Sequence, residues 1–276
     1  MTFTILGANG FIGSKILSEA GDNAIGLTHK SANLLKLDSI RKKLCEYFSN
    51  SYIIYCAGIH RQKSDTFATL IDNQCMINNI ISIMEVAKPK GFVFLSSVEV
   101  YGIPSSLPIT ESTTIQPFYN YAIGKYSCEL LLSKFCREAR IPLTILRLPG
   151  VYGPSDNGTS IITKLVRSTN GVNKFKLFGN GNDFRDYIYV DDVADAAINL
   201  ALKNRQIITI NLATGINHSI IELINLVSEE FNTCQIEKIE SKSTHFDLIF
   251  NINKLSALLP NFKPIEVMEG IKNYKS

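Results

Sequence analysis

Through the first half of the chain, short apolar runs alternate with longer segments in which apolar residues return every three or four positions. Thr2–Leu6, Ala24–Leu27, Tyr52–Cys56, Phe92–Ser96 and Leu143–Leu146 read as buried strands, and Phe11–Ala20, Ser39–Tyr47, Phe67–Ala87 and Tyr119–Arg140 as helices. Within Phe67–Ala87, the residues Leu70, Ile77, Ile80, Ile81 and Met84 recur at helical spacing. Strands alternating with helices make βαβ units, so the pattern predicts an α/β fold: a doubly wound parallel sheet with helices on both faces.

The texture changes after Gly150. Gly and Asn cluster at 153–158 and again at 179–183, with short strands and helices between them. That predicts a main domain over residues 1–150 and a smaller lobe over 151–276. Residues 187–215 are expected to return to the main domain, through a helix at Asp191–Lys203 and a further sheet strand at Ile207–Leu212.

Composition narrows the class. A hydrophobic fraction of 45% in 276 residues fills a globular core. The net charge of +3 is small, and the densest basic runs, Arg41-Lys42-Lys43 and Lys174-Phe175-Lys176, read as solvated faces, so no nucleic-acid partner is expected. The six cysteines form no Cys-x-x-Cys pair and several sit in apolar runs, which predicts buried free thiols and no metal site. The N-terminus lacks a basic leader, and no apolar run approaches the roughly 18 residues that span a bilayer. A soluble, cytoplasmic protein with no membrane partner is expected.

Candidate chemistry begins at Gly7-Ala8-Asn9-Gly10-Phe11-Ile12-Gly13, which follows a strand and opens a helix. In that context the first glycine permits a tight turn, the second lets the backbone approach a pyrophosphate, and the third lets helix and strand pack closely. The helix N-terminus then faces the anion. A nicotinamide dinucleotide is the expected ligand, and the fold is of Rossmann type. An acid that would bind the ribose 2′-hydroxyl of NAD is expected about 20 residues on, but the second strand ends Leu27-Thr28-His29-Lys30. Thr28, His29 and Lys30 suit a 2′-phosphate better, so NADP(H) is favoured with NAD(H) possible; side chains facing only solvent would explain them equally. Asp38 either hydrogen-bonds the adenine or caps a helix.

Tyr121-Ala122-Ile123-Gly124-Lys125 places a phenol and an ammonium one helical turn apart on one face. An ammonium beside a phenol favours phenolate and lowers its pKa, which would make Tyr121 a general acid/base for a sugar or alcohol hydroxyl. Such a spacing is common enough by chance to prove little alone; what raises it is a second element, Ser96-Ser97 at a strand end, where Ser97 can serve the same hydroxyl.

Together these residues resemble the extended short-chain dehydrogenase/reductase family, in its NAD(P)-dependent sugar-nucleotide epimerase/dehydratase/reductase branch. The motifs are the glycine turn, Ser96-Ser97-Val98-Glu99-Val100-Tyr101-Gly102, Tyr121-x-x-x-Lys125, Arg147-Leu148-Pro149-Gly150-Val151-Tyr152-Gly153-Pro154, and 179–194, with Arg185-Asp186-Tyr187-Ile188-Tyr189-Val190 at its heart. The resemblance implies Ser97, Tyr121 and Lys125 as the catalytic set, with Ser97, Glu99, Tyr121 and Arg185 on the substrate. Around the cofactor it implies Gly7, Asn9, Gly10, Phe11, Ile12, Gly13, Ala57, Gly58, Tyr121, Lys125 and Pro149. Arg185 would grip the diphosphate of a nucleotide-sugar. Residues 1–150 become the dinucleotide domain and 151–276 the substrate-binding lobe.

Departures from the family pattern narrow the reaction. The family's 4,6-dehydratases follow the catalytic hydroxyl with Asp-Glu, where this chain has Val98-Glu99, so dehydration is not expected. Glu99 also resembles decarboxylating members, which need a further arginine that the sequence does not locate. Gly150 and Met76 stand where asparagines are usual. The reading that results is an NADPH-dependent 4-ketoreductase acting on a nucleotide-linked 4-keto-6-deoxy sugar. An NAD-dependent nucleotide-sugar 4-epimerase is the alternative, and a non-catalytic dinucleotide sensor ranks third. The family also implies bacterial surface-polysaccharide biosynthesis and a homodimer through Phe67–Ala87 and Tyr119–Arg140.

Overall fold

The computed structural model describes residues 2–171, 173–240 and 245–275; the stretch 241–244 of the expected second lobe lies outside them. Strands β1 (Thr2–Leu6), β2 (Ala24–Leu27), β3 (Ser51–Tyr55), β4 (Gly91–Ser97) and β5 (Leu143–Leu148) alternate with helices α1 (Phe11–Ala20), α2 (Leu37–Phe48), α3 (Phe67–Met84) and α4 (Asn120–Ala139). Beyond them lie β6 (Gly150–Tyr152), α5 (Ile161–Ser168), β7 (Phe175–Phe178), β8 (Phe184–Tyr189), α6 (Val190–Lys203), β9 (Ile207–Asn211), β10 (Asn217–Ser219), α7 (Ile220–Glu230), β11 (Ile236–Ile239), α8 (Asn253–Leu258) and α9 (Val267–Lys272).

Six strands form an all-parallel sheet in the order β2-β1-β3-β4-β5-β9. Both faces are covered, which is why β3, β4 and β5 are buried along their length and mostly apolar, without alternation of exposed and buried positions. One face packs Ile53, Phe92, Phe94 and Ile145 against Leu44 of α2, Ile77, Ile80 and Met84 of α3, and Leu132 of α4. The other packs Ile5, Ile54, Val93 and Leu146 against Ile16 of α1 and Val193, Ala197 and Leu200 of α6, with Leu255 and Leu259 from the C-terminal region joining them. This is the expected doubly wound α/β fold. The strand order reverses beside β1, since β2 lies on one side and β3 on the other; ligands of open α/β sheets bind at the carboxyl ends there.

The remaining elements make a three-stranded sheet, β10-β8-β6, and a parallel pair, β11-β7. They close on a separate apolar core of Tyr152, Ile162, Leu165, Leu177, Tyr189, Leu223 and Ile271.

Some sequence expectations shift. Helix α2 starts at Leu37 with Lys36 at its N-cap, so Asp38 sits in the first turn and is not the cap. Helix α3 ends at Met84 rather than Ala87, and α4 runs from Asn120 to Ala139. All six cysteines are free, as expected, but Cys75 is exposed and Cys45 and Cys56 are half-buried. Among the described residues, no helix is long and apolar enough to cross a membrane, and no group of His, Cys, Asp and Glu could hold a metal.

Candidate active site

The glycine turn sits against the reversal point. Gly7 and Ala8 donate backbone N–H groups to the carbonyl of Leu27 at 2.8 and 3.0 Å, which ties the turn to the end of β2. Gly7 has φ +84°, and a Cβ on it would lie 2.8 Å from the Ala57 nitrogen; a Cβ on Gly13 would lie 2.3 Å from the Gly7 carbonyl oxygen. Both contacts are with backbone, so only glycine lets α1 start this close to β1 and β3. Gly10 is the N-cap of α1, no side chain caps the helix, and no acid stands in its first turn. The chain therefore presents uncapped N–H groups of Phe11, Ile12 and Gly13 beside an open, exposed Gly10, a donor set that fits a pyrophosphate. The Phe11 side chain itself packs near Gly153 and Val190, which leaves its backbone for the ligand. Asn9 is exposed. Ala57 and Gly58 leave β3 directly beneath this turn, and Pro149 joins β5 to β6.

At the end of β2 the residues divide. The Thr28 oxygen atoms are engaged in a local turn with Ser31, whose N–H donates to the Thr28 Oγ1 at 3.3 Å and whose hydroxyl donates to its carbonyl, also at 3.3 Å. His29 and Lys30 are exposed. Lys43 of α2 donates to the Ser31 carbonyl at 3.2 Å, so a residue that reads as part of a solvated face adds a cation at this corner.

Ser97 ends β4. Its Oγ accepts from the Glu99 N–H at 3.1 Å and caps the turn Val98–Tyr101. The hydroxyl proton is left free by that bond, and the hydroxyl acts to lower the pKa of the nearby Tyr121 phenol. Lys125 follows on the next turn of α4, its Nζ 5.8 Å from the centre of the Tyr121 ring. Ser97, Tyr121 and Lys125 thus converge beside the glycine turn.

The electrostatics differ from the sequence expectation. Burial is the largest influence on the Tyr121 phenol and raises its pKa well above the usual tyrosine value; Glu99 raises it further, while Arg61 and the Ser97 hydroxyl act the other way. Lys125 does not set this balance, because its ammonium donates at 2.6 Å to the Leu95 carbonyl and faces the Phe94 ring. Burial in turn pushes the Lys125 ammonium below its ordinary pKa.

Two residues here are missed by the motifs, and both come from the loop between β3 and α3. Arg61 forms an ion pair with Glu99, Nε to Oε2 at 3.0 Å, and its guanidinium lies 4.1 Å from the centre of the Tyr119 ring. Asp65 accepts the Tyr121 N–H at 2.8 Å, and its carbonyl accepts from the Asn120 side chain at 3.1 Å. Asp65 therefore supplies the N-terminal cap of α4, whose own N-cap residue Tyr119 makes none. Asn73 anchors the same loop through both polar groups of Ile59, at 2.8 and 3.0 Å.

Arg185 lies on β8, in the three-stranded sheet. Its Nη2 pairs with Asp183 at 3.5 Å, and its Nη1 donates to the carbonyls of Phe184 and Phe246. Gly150 has a local cause: a Cβ there would lie 2.9 Å from Cδ1 of the Tyr187 ring, which fills the space an asparagine would need.

A family model described as NAD dependent epimerase/dehydratase matches residues 3–213. A UDP-glucose 4-epimerase of Lactobacillus helveticus is 29% identical over 233 residues, 78% of this chain and 63% of its own; the matched region spans less than two thirds of that relative. A GDP-6-deoxy-D-talose 4-dehydrogenase of Aggregatibacter actinomycetemcomitans is 25% identical over 94% of this chain and 90% of its own. Among solved structures, the Thermus thermophilus UDP-glucose 4-epimerase in complex with NAD superposes with a TM-score of 0.88 at 20% identity, covering 100% of this chain and 99% of the other, and shares the fold.

Proposed function

The chain belongs to the NAD-dependent epimerase/dehydratase family, and from that premise we propose that it reduces the C4 ketone of a nucleotide-linked 4-keto-6-deoxy sugar with NADPH. The observation that carries this reading is the convergence of Ser97 and Tyr121 at the carboxyl end of the sheet, one α4 turn from Lys125. A bound nicotinamide supplies the hydride that forms the new C–H bond at C4. Tyr121, whose buried phenol holds its proton tightly, gives that proton to the C4 oxygen as it gains negative charge. Ser97 donates a second hydrogen bond to the same oxygen. Lys125 is placed to contact the cofactor ribose next to Gly58.

Cofactor choice rests on the corner at the end of β2. Exposed Lys30, with Lys43 on α2, offers positive charge beside the exposed His29, and no carboxylate stands on that strand end, which favours a 2′-phosphate. In the substrate lobe Arg185 exchanges its Asp183 partner for the diphosphate of the nucleotide-sugar. The 4-dehydrogenase relative, aligned over nearly the whole of both chains, supports C4 oxidoreduction without epimerisation.

A second reading is favoured by the epimerase relative, which is the more similar in sequence: a 4-epimerase that retains NAD, oxidises C4 and reduces the other face. Identification of the nucleotide carried through purification separates the two. Protein that arrives empty and binds NADPH supports the reductase; tightly held NAD overturns it in favour of the epimerase.

A further inference from the structure

The loop between β3 and α3 does more than connect them. Two of its contacts reach the start of α4: the Arg61 guanidinium stacked 4.1 Å from the centre of the Tyr119 ring, and the Asp65 carboxylate capping the Tyr121 N–H at 2.8 Å. A third, the ion pair of Arg61 with Glu99 at 3.0 Å, reaches the turn after β4. The paired atoms, Arg61 Nε and Glu99 Oε2, are out of contact with water and neither makes a well-aligned hydrogen bond, while the rest of each side chain is partly exposed.

Glu99 stands two residues from Ser97, to whose Oγ it donates its N–H at 3.1 Å, and its carboxylate acts on the Tyr121 phenol through charge. A carboxylate there opposes any negative charge that develops on the phenol oxygen, and a guanidinium on that carboxylate offsets the effect. We propose that Arg61 is a positioning residue: paired with Glu99 and stacked on Tyr119, it neutralises the carboxylate next to Ser97 while Asp65 caps the helix of Tyr121, so that the β3–α3 loop tunes the acid of the site. The inference rests on Tyr121 as the acid of the proposed reaction.

The charged groups around the phenol come from each neighbouring element: Glu99 from the turn after β4, Arg61 and Asp65 from the loop, and Lys125 from α4 itself. Asp65 lies on the helix backbone and Lys125 on the Leu95 carbonyl. Arg61 and Glu99 are the pair left to act on the phenol, in opposite directions.

The test needs neither cofactor nor turnover. Incorporated 3-fluorotyrosine makes the phenols stronger acids, and fluorine NMR follows the Tyr121 resonance, assigned by its loss in Tyr121→Phe. In Arg61→Met the resonance is expected to titrate at least about one pH unit higher, tenfold in proton affinity. In Glu99→Gln it moves lower, and in the double variant it returns close to the unsubstituted protein. Arg61→Lys, which keeps the charge without the planar stack, stays near the unsubstituted value. An unshifted Arg61→Met, a double variant that behaves like Arg61→Met, or matching titrations for the Lys and Met variants overturns the proposal. Turnover of Tyr121→Phe is measured separately; retained activity there would remove the catalytic reading and leave the titration to judge the charge pair.

Discussion

Arg147 and Glu129 meet in a two-point ion pair beneath the active site, Nε to Oε1 at 3.1 Å and Nη2 to Oε2 at 2.7 Å, with both side chains almost fully buried. Glu129 also accepts from the Ser96 hydroxyl at 2.5 Å, and Arg147 donates to the Tyr101 hydroxyl at 2.9 Å, which in turn donates to Asn211 at 2.7 Å. The network joins α4, β4, β5 and β9 just under Ser97. Arg147→Met leaves the Glu129 carboxylate buried without its partner, and a loss of about 3–5 kcal/mol is expected. Urea unfolding measures it; a loss below about 1 kcal/mol would mean that water reaches the carboxylate.

Tyr121→Phe removes the proton donor and keeps the ring. Turnover is expected to fall by about 10²–10⁴-fold with unfolding temperature and cofactor affinity little changed. Full turnover in a folded variant would exclude Tyr121 as the acid; unchanged biological activity with cofactor bound, and no turnover in either protein, would favour the sensing role.

Cofactor preference is checked at the β2 corner. The double variant Lys30→Ala/Lys43→Ala is expected to weaken NADPH about tenfold or more and leave NADH nearly unchanged, since charge-assisted bonds to the 2′-phosphate carry the difference. Titration calorimetry at two salt concentrations measures both. Equal weakening of the two cofactors would place these lysines elsewhere.

Oligomeric state turns on an apolar face shared by α3 and α4. Phe67, Ile71, Ile123, Leu130 and Leu131 are exposed along it, and patches of this kind mark protein interfaces. The expected homodimer should dissociate in Ile123→Glu/Leu130→Glu, read by light scattering at matched concentration. A variant and parent of the same mass would assign the face to another role.

The residues legible in the sequence are those whose chemistry is local. Gly7, Gly10 and Gly13 fall within one strand-turn-helix unit, Tyr121 and Lys125 within one helical turn, and Ser97 at the end of an apolar run, so local context and the motifs around them place them. The six-stranded sheet was legible for a similar reason, each strand being a short, largely apolar run. Arg61 and Asp65 were not, because a strand-to-helix loop carries no periodicity to say what it folds across. The one available signal was Glu99, a carboxylate beside the Ser97 hydroxyl that calls for a nearby cation. Proximity also misled: Tyr-x-x-x-Lys gave the separation of phenol and ammonium but not the rotamer that turns Lys125 to the Leu95 carbonyl. Of the two roles open to Asp38, the helix cap is excluded because Lys36, a residue with no capping side chain, holds the N-cap of α2.

Because Asp65 caps the helix that carries Tyr121, the β3–α3 loop and that tyrosine are not separable modules. Exchanging residues 57–66 for a relative's loop would also uncap the first turn of α4 and let the tyrosine drift. A graft that retains an acid at position 65 keeps the helix start intact, so engineering of this site proceeds through the loop and the helix together.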